Sequence, residues 1–79
     1  MMRYYFHIRD GLDIEMDPEG TELPSVNAAQ EEAREAALEI VAEMVLRHER
    51  IAGKTFQVTD ETGVVITLIP FASVLRLDC

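Results

Sequence analysis

Four side chains near the start of the sequence alternate with apolar residues and combine positive charge with aromatic rings. Arg3, Tyr5, His7 and Arg9 occupy every second position. On a β-strand such residues project from one face of the sheet. This basic row could bind an anion through its guanidinium groups or stack a planar ring. An ordinary solvent-exposed face or a subunit interface has the same composition, and all three interpretations stay open.

Other chemistry finds little support in the sequence. His7 has no cysteine and no second histidine at the spacing that a metal site needs. The two serines, Ser25 and Ser73, lie outside nucleophile patterns, and the isolated glycines do not form a phosphate-binding loop. We therefore expect no catalytic residue, no bound metal and no cofactor, and a protein that is not an enzyme.

A second alternating row is acidic. Asp13, Glu15, Asp17 and Glu19 could attract a divalent cation, because carboxylate oxygens are the ligands that Ca²⁺ prefers. The pattern does not match a calcium-binding loop, since Pro18 stands where the sharp turn requires glycine. We interpret the row as a solvated edge strand.

Length and charge exclude several classes of protein. A chain of 79 residues fits one domain, residues 1–79. Its net charge of −8 disfavours nucleic acids and anionic membrane surfaces as partners. The longest uncharged run, Thr62–Leu75, contains Pro70 and is shorter than the ~20 apolar residues of a membrane-spanning helix. With no apparent signal peptide and one cysteine, Cys79, we expect a cytoplasmic protein without an intrachain disulfide.

The basic row belongs to the first of two predicted strands, at 4–9 and 12–16, where apolar and polar residues alternate. A three-residue loop at 10–12 would pair Ile8 with Ile14 and keep both on one face. A one-residue slip would mix the faces, so this register is the one we predict.

A helix is predicted next, between Ser25 as N-cap, with Asn27 as a rival, and Gly53 as the C-terminal stop. Its apolar positions recur every three or four residues, which is typical of an amphipathic helix. This stripe comprises Ala29, Ala33, Ala36, Ala37, Ile40, Val41, Met44, Val45 and His48.

Two further strands are predicted at 55–60 and 64–69, joined by a three-residue loop at 61–63. The weak pattern at 71–77 indicates a short turn and a packed tail. The loop makes two apolar pairs, Val58 with Ile66 and Phe56 with Leu68.

The order of these elements predicts an α+β fold, a two-layer β-β-α-β-β sandwich with one helix on one face of an antiparallel sheet. We expect the strands in the order second, first, third, fourth. Val65, Thr67 and Ile69 would then project from the face away from the helix, on an edge strand. A single helix cannot cover both faces, so we expect a homodimer through this strand's edge or through the uncovered face.

Several segments together resemble a known family. They are Arg3-Tyr4-Tyr5-Phe6-His7-Ile8-Arg9-Asp10-Gly11, Glu19–Pro24, Phe56-x-Val58-x-Asp60-Glu61-x-Gly63 and Pro70-Phe71. In this order they resemble short alphaproteobacterial proteins that are classed as a domain of unknown function. The resemblance implies no activity, substrate or catalytic residue.

The opening strand, hairpin and Ala/Glu-rich helix are also similar to HicB-type antitoxins, although the glycine-rich third-strand segment of that family is absent. Two hypotheses follow. The first is a small, self-associating protein-interaction module without enzymatic activity. The alternative is an acidic, antitoxin-like partner of a small basic protein.

Overall fold

The computed structural model describes residues 1–75, so Cys79 and the end of the predicted tail lie outside the described residues. The elements are β1 (Met2–Asp10), β2 (Asp13–Glu15), β3 (Thr21–Leu23), α1 (Val26–Leu46), β4 (Lys54–Thr59), β5 (Val65–Pro70) and a 3-10 helix (Phe71–Leu75). Among residues 1–75, no helix combines the length and the apolar character needed to cross a membrane.

The sheet is antiparallel throughout and has the order β2-β1-β4-β5, which confirms the predicted strand order. The α+β class and the single covering helix are likewise confirmed. The prediction of four strands is wrong, because β3 adds a fifth that pairs with the first half of β1. Since β3 has only three residues, it leaves almost no periodicity in the sequence.

The predicted register of the first hairpin is also wrong. Asp10 pairs with Asp13 across a two-residue loop, and Ile8 therefore lies opposite Glu15. Gly11, at φ 64°, adopts the left-handed conformation that such a tight loop needs. All three residues of β2 are exposed, so no buried face constrains their register and the turn decides it.

In the second hairpin the loop is as predicted but the pairing is not. The Asp60 N–H donates to Val64 O at 3.0 Å, which closes a three-residue loop with Gly63 left-handed at φ 89°. Thr59 pairs with Val65, but Val58 pairs with Thr67, so Ile66 forms a β-bulge. The bulge shifts every later residue of β5 by one, and Phe56 pairs with Ile69 instead of Leu68.

The helix begins where the sequence predicts. The Ser25 side chain accepts a hydrogen bond from Ala28 N at 3.1 Å, as an N-cap does. The helix ends at Leu46, before the predicted stop at Gly53, because His48 at φ 59° reverses the chain first.

The core lies between α1 and the sheet. Its fully buried alanines, Ala29, Ala33 and Ala37, let the helix approach the sheet closely. Phe71, also fully buried, packs its ring edge-on against Phe56 at 5.0 Å between centroids. The predicted tail therefore contributes a core residue through the 3-10 helix.

The bulge makes a direct test of the register possible. Ile69 is 8% exposed and Leu68 is 57% exposed. We expect Ile69→Ala to lower the free energy of unfolding by ~2–5 kcal/mol and Leu68→Ala by less than ~1 kcal/mol. Urea unfolding at submicromolar concentration measures both. Equal losses, or a larger loss at Leu68, would contradict the shifted register.

Candidate functional site

The basic row lies along β1 on the face of the sheet away from α1. Tyr5 pairs with Thr59, and His7 pairs with Gln57. Because side chains alternate along a strand, Arg3 and Arg9 project from this same face. The structure thus brings all four predicted side chains to one face, where their individual contacts decide what they can do.

His7 is buried, at 6% exposure, and uses both ring nitrogens inside the chain. Its Nδ1 accepts a hydrogen bond from Asp17 N at 3.0 Å. An accepting Nδ1 carries no proton, which assigns the proton of the neutral ring to Nε2. Nε2 lies 3.3 Å from Thr59 Oγ1 and donates to it. The imidazole is therefore not available as a metal ligand or a general base in this arrangement.

Asp17 fills a gap in the edge of β1. β3 pairs with residues 2–4 and β2 with residues 8–10, so the centre of this edge has no strand partner among residues 1–75. The Asp17 carboxylate accepts from Phe6 N at 3.2 Å. Its other oxygen accepts from Glu19 N and Gly20 N, both at 3.3 Å, which forms an Asx turn. One carboxylate thus satisfies three backbone donors.

These contacts change the acidity of Asp17. Partial burial raises the pKa of its carboxyl, but the three backbone N–H donors favour the ionised form and outweigh burial. The pKa of Asp17 consequently lies below its ordinary value.

The loop that carries Asp17 lies close against β1. Gly20 has φ 70°, and a Cβ there would come within 2.8 Å of Tyr4 O and 2.9 Å of Tyr5 Cε2. Only glycine fits both the left-handed backbone and this distance. The Tyr5 ring in turn stacks on His7, with 6.2 Å between centroids and planes 14° apart.

The two arginines of the row differ. Arg3 donates to Glu19 O at 2.7 Å and to Glu22 Oε2 at 3.2 Å, and so holds the loop and β3 against β1. Arg9 is exposed and has no ion pair within residues 1–75. Three of the four side chains are therefore already engaged inside the chain, and ligand binding by the row stays a prediction.

We call His7, Asp17 and Thr59 the clasp, because together they fasten the 16–20 loop over the outer face of the sheet. The sequence analysis placed Asp17 in a solvated acidic row and missed this role. The signal was the Asp-Pro-x-Gly turn, in which an Asp commonly accepts from its own backbone. Across the described residues, no group of three His, Cys, Asp or Glu side chains is arranged to hold a metal.

The three residues predicted for a dimer interface do not share a face. Val65 is 47% exposed and lies with Thr59 on the outer face. Thr67 and Ile69 follow the bulge and lie on the helix side, where Ile69 is buried. The expectation that all three project outward is wrong. Leu68 takes the outer position instead, and the sequence analysis missed it because nothing in the sequence marks the bulge.

The lowered pKa of Asp17 predicts a pH dependence of stability. The unfolded chain binds this proton at a higher pH than the folded chain does. Ionised Asp17 therefore stabilises the fold above the ordinary aspartate pKa, and the effect is lost as the pH falls through the lower folded value. We expect Asp17→Asn to lower the melting temperature at about pH 7 and to have much less effect at about pH 2. Asp13→Asn, at an exposed position of β2, is the control. An equal effect of Asp17→Asn at both pH values would contradict the assignment.

The clasp also predicts the cost of losing its imidazole. His7→Phe keeps a ring of similar size for Tyr5 to stack on but leaves Asp17 N and Thr59 Oγ1 without their partner. We expect a loss of ~1–3 kcal/mol in the free energy of unfolding. Denaturant unfolding of the variant measures it, and a change below ~0.5 kcal/mol would show that the clasp contributes little.

Comparison with known proteins identifies a family and no activity. No curated protein and no solved structure matches the chain significantly. Nothing in these comparisons favours the antitoxin-like alternative. Residues 3–72, which include the basic row, the clasp and all five strands except the first residue of β1, match the family described as Domain of unknown function (DUF6894). The chain belongs to this family of domains of unknown function.

Proposed function

We propose that the domain is a protein-interaction module that works as a homodimer, joined through the edge of β5. The observation that carries the proposal is the composition and exposure of this edge. β5 pairs on one side with β4 and has no strand partner on the other within residues 1–75. Its residues, Val65–Pro70, carry no charge, and Leu68 and Val65 are 57% and 47% exposed.

Exposed sheet edges are usually protected, because their free N–H and C=O groups can pair with other chains. The opposite edge of this sheet has such protection. Asp13 and Glu15 stand on β2, Glu22 stands on β3, and the Asp17 carboxylate occupies the gap between them. β5 has no comparable charge. The bulge at Ile66 and Pro70 interrupt only parts of its edge, and pairing with a second copy would cover the rest.

A second copy also suits the charge of the chain. Two chains of net charge −8 repel each other wherever their carboxylates meet. The β5 edge lies in the longest uncharged run of the sequence, so association there brings no carboxylates of the strand together. A twofold axis through paired β5 strands closes the assembly and leaves no free copy of this edge.

The edge is a better candidate than the centre of the outer face. The 16–20 loop lies over part of that face, and His7 and Thr59 beneath it are buried. The exposed apolar side chains Val65 and Leu68 lie at the β5 side instead. They would extend the contact beyond the paired backbone.

Light scattering after size-exclusion chromatography tests the proposal. We expect a mass of twice the 8.9 kDa chain over two decades of concentration around the micromolar range. Leu68→Lys should convert the dimer to a folded monomer, since it places a charge in the centre of the edge. The matched control is Leu12→Lys, the same substitution at a fully exposed leucine in the first hairpin.

The outcomes are distinct. A wild-type mass near 8.9 kDa at every concentration would overturn the dimer. A Leu68→Lys variant that stays dimeric would overturn the edge as the interface. Melting curves of both variants show whether each remains folded. If Leu68→Lys does not fold, Val65→Lys places a charge at the same edge and replaces it in the test.

A further inference from the structure

The position of α1 has a consequence for the edge of β5. The helix packs most closely on the 3-10 helix, β4 and β5, and it also contacts β3 on the other side of the sheet. The 3-10 helix, which directly follows β5, therefore lies beside one side of α1. This side of α1 is the one nearest the β5 edge, in the layer below it.

This side of the helix is apolar and exposed. Leu38 and Val45 are 52% and 51% exposed. They are seven residues apart, which is close to two helical turns, so they lie on the same side of α1. Leu38 lines a groove together with Arg34 of the same helix and with Ser73 and Val74 of the 3-10 helix, which directly follows β5. The two residues form what we call the lateral flank of α1.

The other side of the helix has the opposite character. The exposed residues there include Glu32, Glu39 and Glu43. Glu43 lines a second groove with Ile8 and Glu15, which places this acidic side towards β1 and β2. The acidic side of α1 thus lies towards β1 and β2, whereas the other side carries the exposed apolar residues Leu38 and Val45 together with the charged Glu31 and Arg34.

We infer that the homodimer has a second layer, in which the lateral flank of α1 packs against the same flank of a second copy. This inference rests on the proposed association through β5. When a twofold axis joins two β5 strands antiparallel, it stands perpendicular to the sheet and leaves both helices on the same face. Parallel pairing would put the helices on opposite faces, so the inference also specifies antiparallel pairing.

The area that a stable dimer needs supports a second layer. A strand of six residues is ~20 Å long, and one sheet layer is ~10 Å thick. The edge of β5 therefore presents a projected contact area of roughly 200 Å². Specific interfaces bury ~800 Å² on each partner. The strand alone falls well short, whereas the flank adds two half-exposed apolar side chains beneath it. A second copy supplies both layers at once, since its own flank lies beside its own β5.

Adjacent residues of α1 give a matched test. Val45→Glu and Leu38→Glu place a carboxylate on the lateral flank of an already acidic protein. Leu46→Glu makes a similar change at the next position, which is 80% exposed and turned about 100° around the helix from Val45. We expect Val45→Glu and Leu38→Glu to weaken dimerisation at least tenfold and Leu46→Glu to change it less than threefold. Sedimentation equilibrium measures the dissociation constants.

Each outcome supports or overturns one of the two claims. If Leu68→Lys dissociates the dimer while the two flank variants bind like wild type, the helical layer is overturned and the β5 edge remains. If wild type is monomeric, the proposed function itself fails. If Leu46→Glu weakens the dimer as much as Val45→Glu, the effect is one of charge alone and the flank is overturned. Melting curves identify unfolded variants. If Val45→Glu does not fold, Val45→Ser replaces it in the test.

Discussion

A single extra residue in β5 decides which side chains enter the core and which remain at the surface. The loop at 61–63 closes on Asp60, whose carboxylate accepts from Thr62 N and Val64 N and has a pKa lowered chiefly by its hydrogen bond from the Thr62 hydroxyl. This turn alone would place Leu68 inside. The bulge at Ile66 reverses the faces, so Ile69 packs inward opposite Phe56 and Leu68 points out. The same bulge thus determines both which β5 residue enters the core and which one is exposed at the edge.

A second constraint is that the unpaired edge of β1 must satisfy its backbone. β2 and β3 each cover only one end of β1, and a buried N–H without a partner would cost about 1–3 kcal/mol. The Asp17 carboxylate supplies the acceptor for Phe6 N, and the Asp17 N–H in turn donates to His7. The loop is therefore held by polar groups where a longer strand would have used a ladder of backbone hydrogen bonds.

The parts of the fold that follow from periodicity could be predicted from the sequence. The helix was recognisable because its alanines and larger apolar residues recur at helical spacing, and Ser25 marks its start. The strand order followed because each hairpin neighbour must be antiparallel. The registers could not be predicted. In the first hairpin the exposed β2 has no preferred face, and in the second the bulge at Ile66 has no distinguishing residue type.

The candidate site also has one part that the sequence predicts and one part that it does not. That the basic row shares a face follows from the alternation of residues along β1. The contacts between this row and the 16–20 loop do not follow from that alternation, because the hydrogen bond between His7 and Asp17 joins residues ten positions apart through an irregular turn. Arg3 and His7 appeared free in the sequence for this reason, although each is held by a backbone group of the loop.

The distribution of charge connects these features to association. Acidic residues occupy β2, β3 and the side of α1 towards β1 and β2, whereas β5 carries none. Charge on an edge strand prevents pairing with other chains, and its absence permits pairing. In a chain with a net charge of −8, the uncharged β5 edge is where a second acidic chain meets the least repulsion. The bulge turns the apolar side chain of Leu68 outward at that same edge, and Leu38 and Val45 add exposed apolar surface on α1. The composition of the two sides of the molecule therefore favours contact between like copies at β5 over contact at β2.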